Sequence, residues 1–207
     1  MIYSLSEIDT HVKKAARGAG FDWGCAEEAG KGARLLAAYQ LPGMRVVTNY
    51  LEQKVERPSV FQSPKRVLRH WQPQTDDGML CPLLTGECLS DPGPDACLDT
   101  LVLQDVAAPL LLLPSVFLLT REYGHTLELR WRGVHLVCHA GYLDVQENVA
   151  LDADHVDQCS IRNAQGAAAG NLGRDVDSAI WGRLDRLAKL TYVAATEASR
   201  AGAGPAE

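Results

Sequence analysis

Thr126–His139 reads TLELRWRGVHLVCH, and its alternation decides what kind of fold the chain can adopt. Apolar and polar residues take turns on both sides of Arg132-Gly133, the period-two pattern of strands with one buried face. With Arg132-Gly133 as a two-residue turn, Trp131 stands opposite Val134, Leu129 opposite Leu136, and Leu127 opposite Cys138. Those six residues then share one apolar face, and Glu128, Arg130, His135 and His139 share the other with Val137. A hairpin at this point makes the second half of the chain a sheet.

Working outward, Leu98–Val106, Leu111–Leu119, Tyr142–Val145 and Val156–Ile161 are further strand candidates. The first half has a different period. Ser4 and Glu7 form a capping box, in which a serine hydroxyl and a glutamate three residues on satisfy free N–H groups at a helix start. Leu5, Ile8, Val12 and Ala15/Ala16 recur behind it at helical spacing, and Gly18 and Gly20 stop the helix.

Arg17–Glu28, RGAGFDWGCAEE, is then a tight connection between helices, with Asp22 capping the second and Trp23 expected as a packing anchor. Ala26, Ala29, Gly30, Ala33, Leu36 and Ala37 form a stripe of mostly small residues on that second helix. Glycine inside a helix costs about 1 kcal/mol relative to alanine, which close packing can offset. Glu27 and Lys31, four apart, are spaced for an ion pair. Val47, Tyr50, Leu51 and Val55 give a third helix ending before Pro58. Ser63-Pro64 looks like the start of a short basic helix, KRVLRHW.

From Gln72 to Asp95 no periodicity survives. Asn163–Gly173 reads as a mobile loop, and Asp175 or Asp177 caps a long closing helix on which Ile180, Leu184 and Leu187 share a face. Helices and strands in separate runs argue for α+β. The reading is a single domain over 1–207, made of a helical part (1–56), an irregular connection (57–97), an antiparallel sheet (98–161) and a C-terminal helix (175–201).

Composition narrows the function classes. A chain of 207 residues with 46% hydrophobic and 22% charged residues is an ordinary globular protein. A net charge of −6 gives no sign of nucleic-acid binding. The N-terminus has no apolar signal region, and the most apolar run, Ala107–Leu119, is too short to span a membrane and is broken by prolines. Six cysteines without a signal suggest reduced thiols and a cytoplasmic location.

Candidate chemistry is scattered. Cys81, Cys88 and Cys97 with His70 offer four zinc donors, but lack the close pairs that pre-form half a tetrahedron. His135 and His139, four apart on a strand, lie roughly 13 Å from each other and cannot share an ion. Asp152–Asp157 gathers carboxylates around His155 but fails the calcium-loop spacing and reads as a solvated acidic turn. No metal and no cofactor is expected. Lys65, Arg66 and Arg69 at a helix N-terminus would attract an anion. Glu27 or Glu28, together with His139, are the candidates for proton transfer. Arg66, Arg69 and His70 are the candidates for holding a carboxylate or phosphate.

RGAG, Trp23-Gly24, Ala26–Gly30 and the C-terminal Leu190–Arg200 followed by GAG resemble an uncharacterised bacterial family over the whole chain. That resemblance implies no activity and no site. The helix–turn–helix at the start is also similar to the N-terminus of the malate/L-lactate dehydrogenase family that lacks the Rossmann fold. The nicotinamide-binding motifs of that family are not found here. The functional expectation is a small-molecule enzyme or enzyme subunit acting on an anionic metabolite. The alternative is a non-catalytic homo-oligomer, or an accessory protein to another enzyme, using the small-residue stripe and the closing helix as contact surfaces.

Overall fold

A computed structural model of the chain describes residues 2–90, 100–139, 142–164 and 177–191. It opens with three helices: α1 (Leu5–Gly18), α2 (Trp23–Ala38) and α3 (Gly43–Glu56). The capping box of α1 is present, with the Glu7 N–H donating to Ser4 Oγ and the Ser4 N–H donating to Glu7 Oε2. Asp22 caps α2 by accepting from the Cys25 N–H. Gly20, at φ +93°, makes the left-handed turn between them at a position where a side chain would be strained.

The predicted small-residue stripe is buried, and the reason is close approach. A Cβ at Gly30 would stand 2.6 Å from the Asp9 backbone oxygen of α1, closer than real Cβ contacts come. At Gly30 the stripe is thus packed against α1 of the same chain.

Two of the expectations for the Arg17–Glu28 stretch are corrected. Trp23 is 62% exposed, with the Arg17 guanidinium 4.7 Å from its ring; it is a surface cation–π platform and not a packing anchor. Lys31 pairs with Glu28, while Glu27 reaches across to Lys13 of α1.

The connection expected to be irregular is built into the sheet. It contains β1 (Phe61–Gln62), β2 (Lys65–Val67), β3 (His70–Gln72), β4 (Met79–Leu80) and α4 (Pro82–Ser90). KRVLRHW is therefore not a helix. β2 and β3 form a hairpin turning at Leu68, whose φ is +52°, and β3 pairs in parallel with β5 (Leu101–Ala107) through His70↔Val102 and Trp71↔Leu103. Sheet pairing and burial of Trp71 outweighed the local Ser-Pro start signal.

Leu111–Leu119 is likewise helix: a 3₁₀ turn over Pro109–Leu112 leads into α5 (Leu113–Tyr123). A short run that is apolar on every side suits a buried strand or a buried helix equally, and the prolines at the start of each turn suit the helix.

The hairpin in TLELRWRGVHLVCH stands as expected. β6 (Thr126–Trp131) pairs with β7 (Val134–His139) through Trp131↔Val134, Leu129↔Leu136 and Leu127↔Cys138, and those six residues are all buried. β8 (Tyr142–Asn148) follows β7. β9 (His155–Asn163) inserts between β5 and β6. Among the described residues the sheet has nine strands, in the order β1-β4-β5-β9-β6-β7-β8 with the β2–β3 hairpin attached to β5. It is mixed and not purely antiparallel, because β1–β4, β4–β5 and β3–β5 run parallel.

α6 (Ser178–Lys189), capped by Asp177, returns to pack on α1 and α3. The helix ends at Lys189, with Leu190 and Thr191 in a turn where the expected closing helix continued; residues 175–176 and 192–201 of that helix, the loop expected over Asn163–Gly173 beyond Ala164, and Cys97 lie outside the described residues. One cluster of buried side chains runs from Ile8 and Leu36 in the helices to Leu129 and Ile161 in the sheet.

Candidate functional site

Small residues also create an opening. Gly32 of α2 lies under Pro114 of α5, where a Cβ would be 3.0 Å from the proline ring, and α4 comes in beside them. Three helices held this closely leave a cleft of about 820 Å³ between them. Its inner wall is apolar, with Ala29, Ala33 and Leu35 from α2, Leu83 from α4, and Leu111 and Phe117 on the α5 side. Charged groups stand around it: Glu28, Lys31, Arg34, Glu87 and Arg121.

These charges are unequally committed. Glu28 and Lys31 are paired at 2.6 Å, and Arg34 lies 3.9 Å from Asp9. Glu87 sits against the buried Cys25 thiol, whose pKa is pushed up first by burial and then by that carboxylate. Arg121, in the last turn of α5, has no ion-pair partner among the described residues. An apolar cleft with a spare guanidinium at its edge suits a molecule with an apolar body and an anionic group.

The structure does not gather the candidates from the sequence into one place. Glu28 lines the cleft; Glu27, His139, Arg66, Arg69 and His70 do not. Glu27 is held on the α1 side by Lys13, which lowers its pKa by hydrogen bond and charge. His139 is on β7, its Nδ1 2.6 Å from the Thr126 hydroxyl. Arg66 and His70 lie on the β2–β3 hairpin with Arg69 at its turn, all three exposed, and Arg66 lies 5.6 Å over the Trp71 ring. Because KRVLRHW is not helical, the helix N-terminus expected to hold an anion there does not exist.

The polar face of the hairpin is a second surprise. His135, expected on a wet face, is 9% exposed, and Glu128 beside it accepts from Arg162 Nε at 2.5 Å. Burial raises the Glu128 pKa, but Arg162, His135 and Arg130 together outweigh it and hold the carboxyl below its usual range. Arg162, from the distant strand β9, was not foreseen in this cluster.

The cysteines make no zinc site among the described residues. Cys81 is buried with the Tyr50 hydroxyl donating to its sulfur at 2.9 Å, and no triple of candidate ligands there includes Cys81 or Cys88. No described helix is long and apolar enough to cross a membrane.

Sequence reasoning missed Arg34 and Arg121 as cleft residues, together with the walls supplied by α4 and α5. Both walls come from segments read as loop or strand, so no signal could have joined them to α2.

Residues 3–68 match the model of a family described as "Protein of unknown function (DUF3726)". No curated protein matches the chain. Among solved structures, malate dehydrogenase from Entamoeba histolytica is similar over 71% of this chain and 49% of its own, with 8% sequence identity and a TM-score of 0.48. The chain thus spans about half the length of that enzyme, and so low a similarity carries no argument about activity. The expected resemblance to an uncharacterised family therefore holds over residues 3–68, from the start of α1 to the tip of the β2–β3 hairpin, and the C-terminal LTYVAATEASR lies beyond the match.

Proposed function

We propose that this chain is a small-molecule enzyme, or a subunit of one, acting on an anionic metabolite bound in the cleft between α2, α4 and α5. The observation that carries the reading is Arg121 at the edge of an apolar cleft of about 820 Å³, with Arg34 lining the same cleft. An anion there meets a guanidinium with no carboxylate at ion-pair distance among the described residues, while the apolar part of the molecule leaves water. Glu28, which lines the cleft beside its ion-pair partner Lys31, is the carboxylate assigned to exchange a proton with the bound molecule. Glu27 and His139 do not line the cleft and take no part in this reading.

The test is a thermal-shift screen of the full chain against carboxylates and phosphate esters of increasing chain length. Stabilisation that grows with chain length, is lost in Arg121→Glu and survives in Arg66→Ala is the expected result. No stabilisation by any member, or equal stabilisation of Arg121→Glu, removes the proposal.

A second reading, a homo-oligomer or an accessory protein to another enzyme, is favoured by one observation. Leu68 is 94% exposed at the tip of the β2–β3 hairpin, next to the half-exposed Val67. Light scattering that finds a strict monomer, with nothing co-purifying, removes it.

A further inference from the structure

The acidic stretch Asp152–Asp157 is not one undivided solvated turn. Asp152 pairs with Arg45 at 2.5 Å, and Asp154 accepts a hydrogen bond from the Asn49 side chain at 3.4 Å. The other two ionisable groups, His155 and Asp157, belong to β9. They are two residues apart on a strand and so point to the same face.

The pairing Gln104↔Gln158 and Val106↔Val156 brings Asp105 of β5 across from Asp157. Asp105, 50 residues away in sequence, thereby joins His155 at 3.6 Å. One donor atom from each of Asp105, His155 and Asp157 lies within 4.8 Å of the other two. Asp157 has no cationic partner at ion-pair distance among the described residues, and Asp105 has His155 alone.

A second feature adjoins this group. β6 ends at Trp131, opposite Cys159, so the start of β9 runs on past it. The space left there is a recess of about 490 Å³ bordered by His155, Asp157 and Ser160 on one side and by Arg130 and Arg132 on the other. Two donors of the triad thus open onto a concave site that also carries positive charge.

We propose that Asp105, His155 and Asp157 form a site for a divalent cation of the Mn²⁺ or Zn²⁺ type, whose free coordination positions face this recess. The donor set decides the class. Two carboxylates with one imidazole suit borderline first-row cations; Ca²⁺ and Mg²⁺ prefer oxygen alone, and the donor set has no sulfur for a thiolate-seeking ion. The geometry permits it: donors within 4.8 Å of one another leave a point at most about 2.8 Å from all three, against roughly 2.0–2.2 Å for bound zinc. Small rotations of half-exposed side chains close that gap, and the bound charge relieves the crowding of two carboxylates. Three protein ligands leave a position for water or an anion, with Arg130 and Arg132 bordering the same space. The site does not depend on the α2/α4/α5 cleft or on what that cleft binds.

The experiment titrates the metal-free full chain with Mn²⁺ and follows the free ion by its paramagnetic resonance. Mn²⁺ has little liking for thiols, so the cysteines do not confuse the result. One equivalent is expected to bind. His155→Gln and Asp157→Asn should each weaken binding at least tenfold, and Asp152→Asn should leave it unchanged. Asp105→Asn is informative because asparagine tolerates the left-handed backbone of Asp105 at φ +51°, so a loss there reports the ligand and not the turn. Circular dichroism and melting of each variant establish that it is folded. Absence of Mn²⁺ binding at millimolar concentration, or an unchanged affinity in the folded His155→Gln/Asp157→Asn double variant, overturns the proposal.

Discussion

α1 with its neighbours and the β2–β3 hairpin both carry local helix-start signals, and the two segments fold oppositely. Around α1 the signals agreed with the packing. Its cap is satisfied, Gly30 of α2 lies against its backbone, and His11 stacks on Trp181 of α6 at 4.4 Å with Tyr3 on the same indole at 3.6 Å. In the hairpin, Ser63-Pro64 signalled a helix, but the chain paired with β5 and buried Trp71 while leaving Val67, Leu68 and Arg69 exposed. The contrast teaches that a local signal prevails where burial reinforces it and yields where a distant strand offers more.

The contrast can be broken at several points. The largest effect is expected from Gly30→Ala. Helix propensity alone favours alanine by about 1 kcal/mol, yet overpacking against the Asp9 carbonyl costs about 1–3 kcal/mol. The variant should therefore lose up to about 2 kcal/mol, read from the urea midpoint at constant slope. A gain in stability would show that α1 and α2 are not in such close contact.

A smaller effect is expected from His11. Burial lowers its pKa below the ordinary 6.5, more than Asp185 raises it, with Lys14 adding to the lowering. Between the lowered folded value and the unfolded one, the unfolded chain binds more protons, so stability rises with pH across that window. This contribution is present above about pH 6.5 and is lost as pH falls through the folded value. Melting scans between pH 8 and 5 should show a fall that His11→Gln reduces; equal profiles for both chains would place the pH dependence elsewhere.

The smallest effect belongs to the hairpin. Arg66→Ala and Arg69→Ala, both at exposed positions, should each stay within about 0.5 kcal/mol of the parent chain in denaturant melts. A loss beyond about 1 kcal/mol would make the hairpin a structural clamp and remove the contrast with α1.

Legibility followed the range of the interactions. The β6–β7 register could be read because a two-residue turn and a period-two pattern determine each other. Asp22 as a cap and Gly20 as a turn are decisions made within four residues. Leu111–Leu119 misled because a run apolar on all sides carries no period, and Pro82–Ser90 was invisible because its apolar residues show no one-sided pattern. The candidate site was legible only at Glu28. Arg121 reaches the cleft from the last turn of α5, beyond the strand expected over Leu111–Leu119, and Asp105 reaches His155 through strand pairing.

By itself, then, the sequence determined the caps, the turns, the hairpin register and the small-residue face of α2, because each depends on sterics and hydrogen bonds between near neighbours. The tertiary structure decided that KRVLRHW is a hairpin, that β9 inserts between β5 and β6, and that three helices leave an apolar cleft beside an uncommitted arginine. Those outcomes depend on which distant surfaces bury each other, and a pattern along one segment cannot encode the partner it will meet.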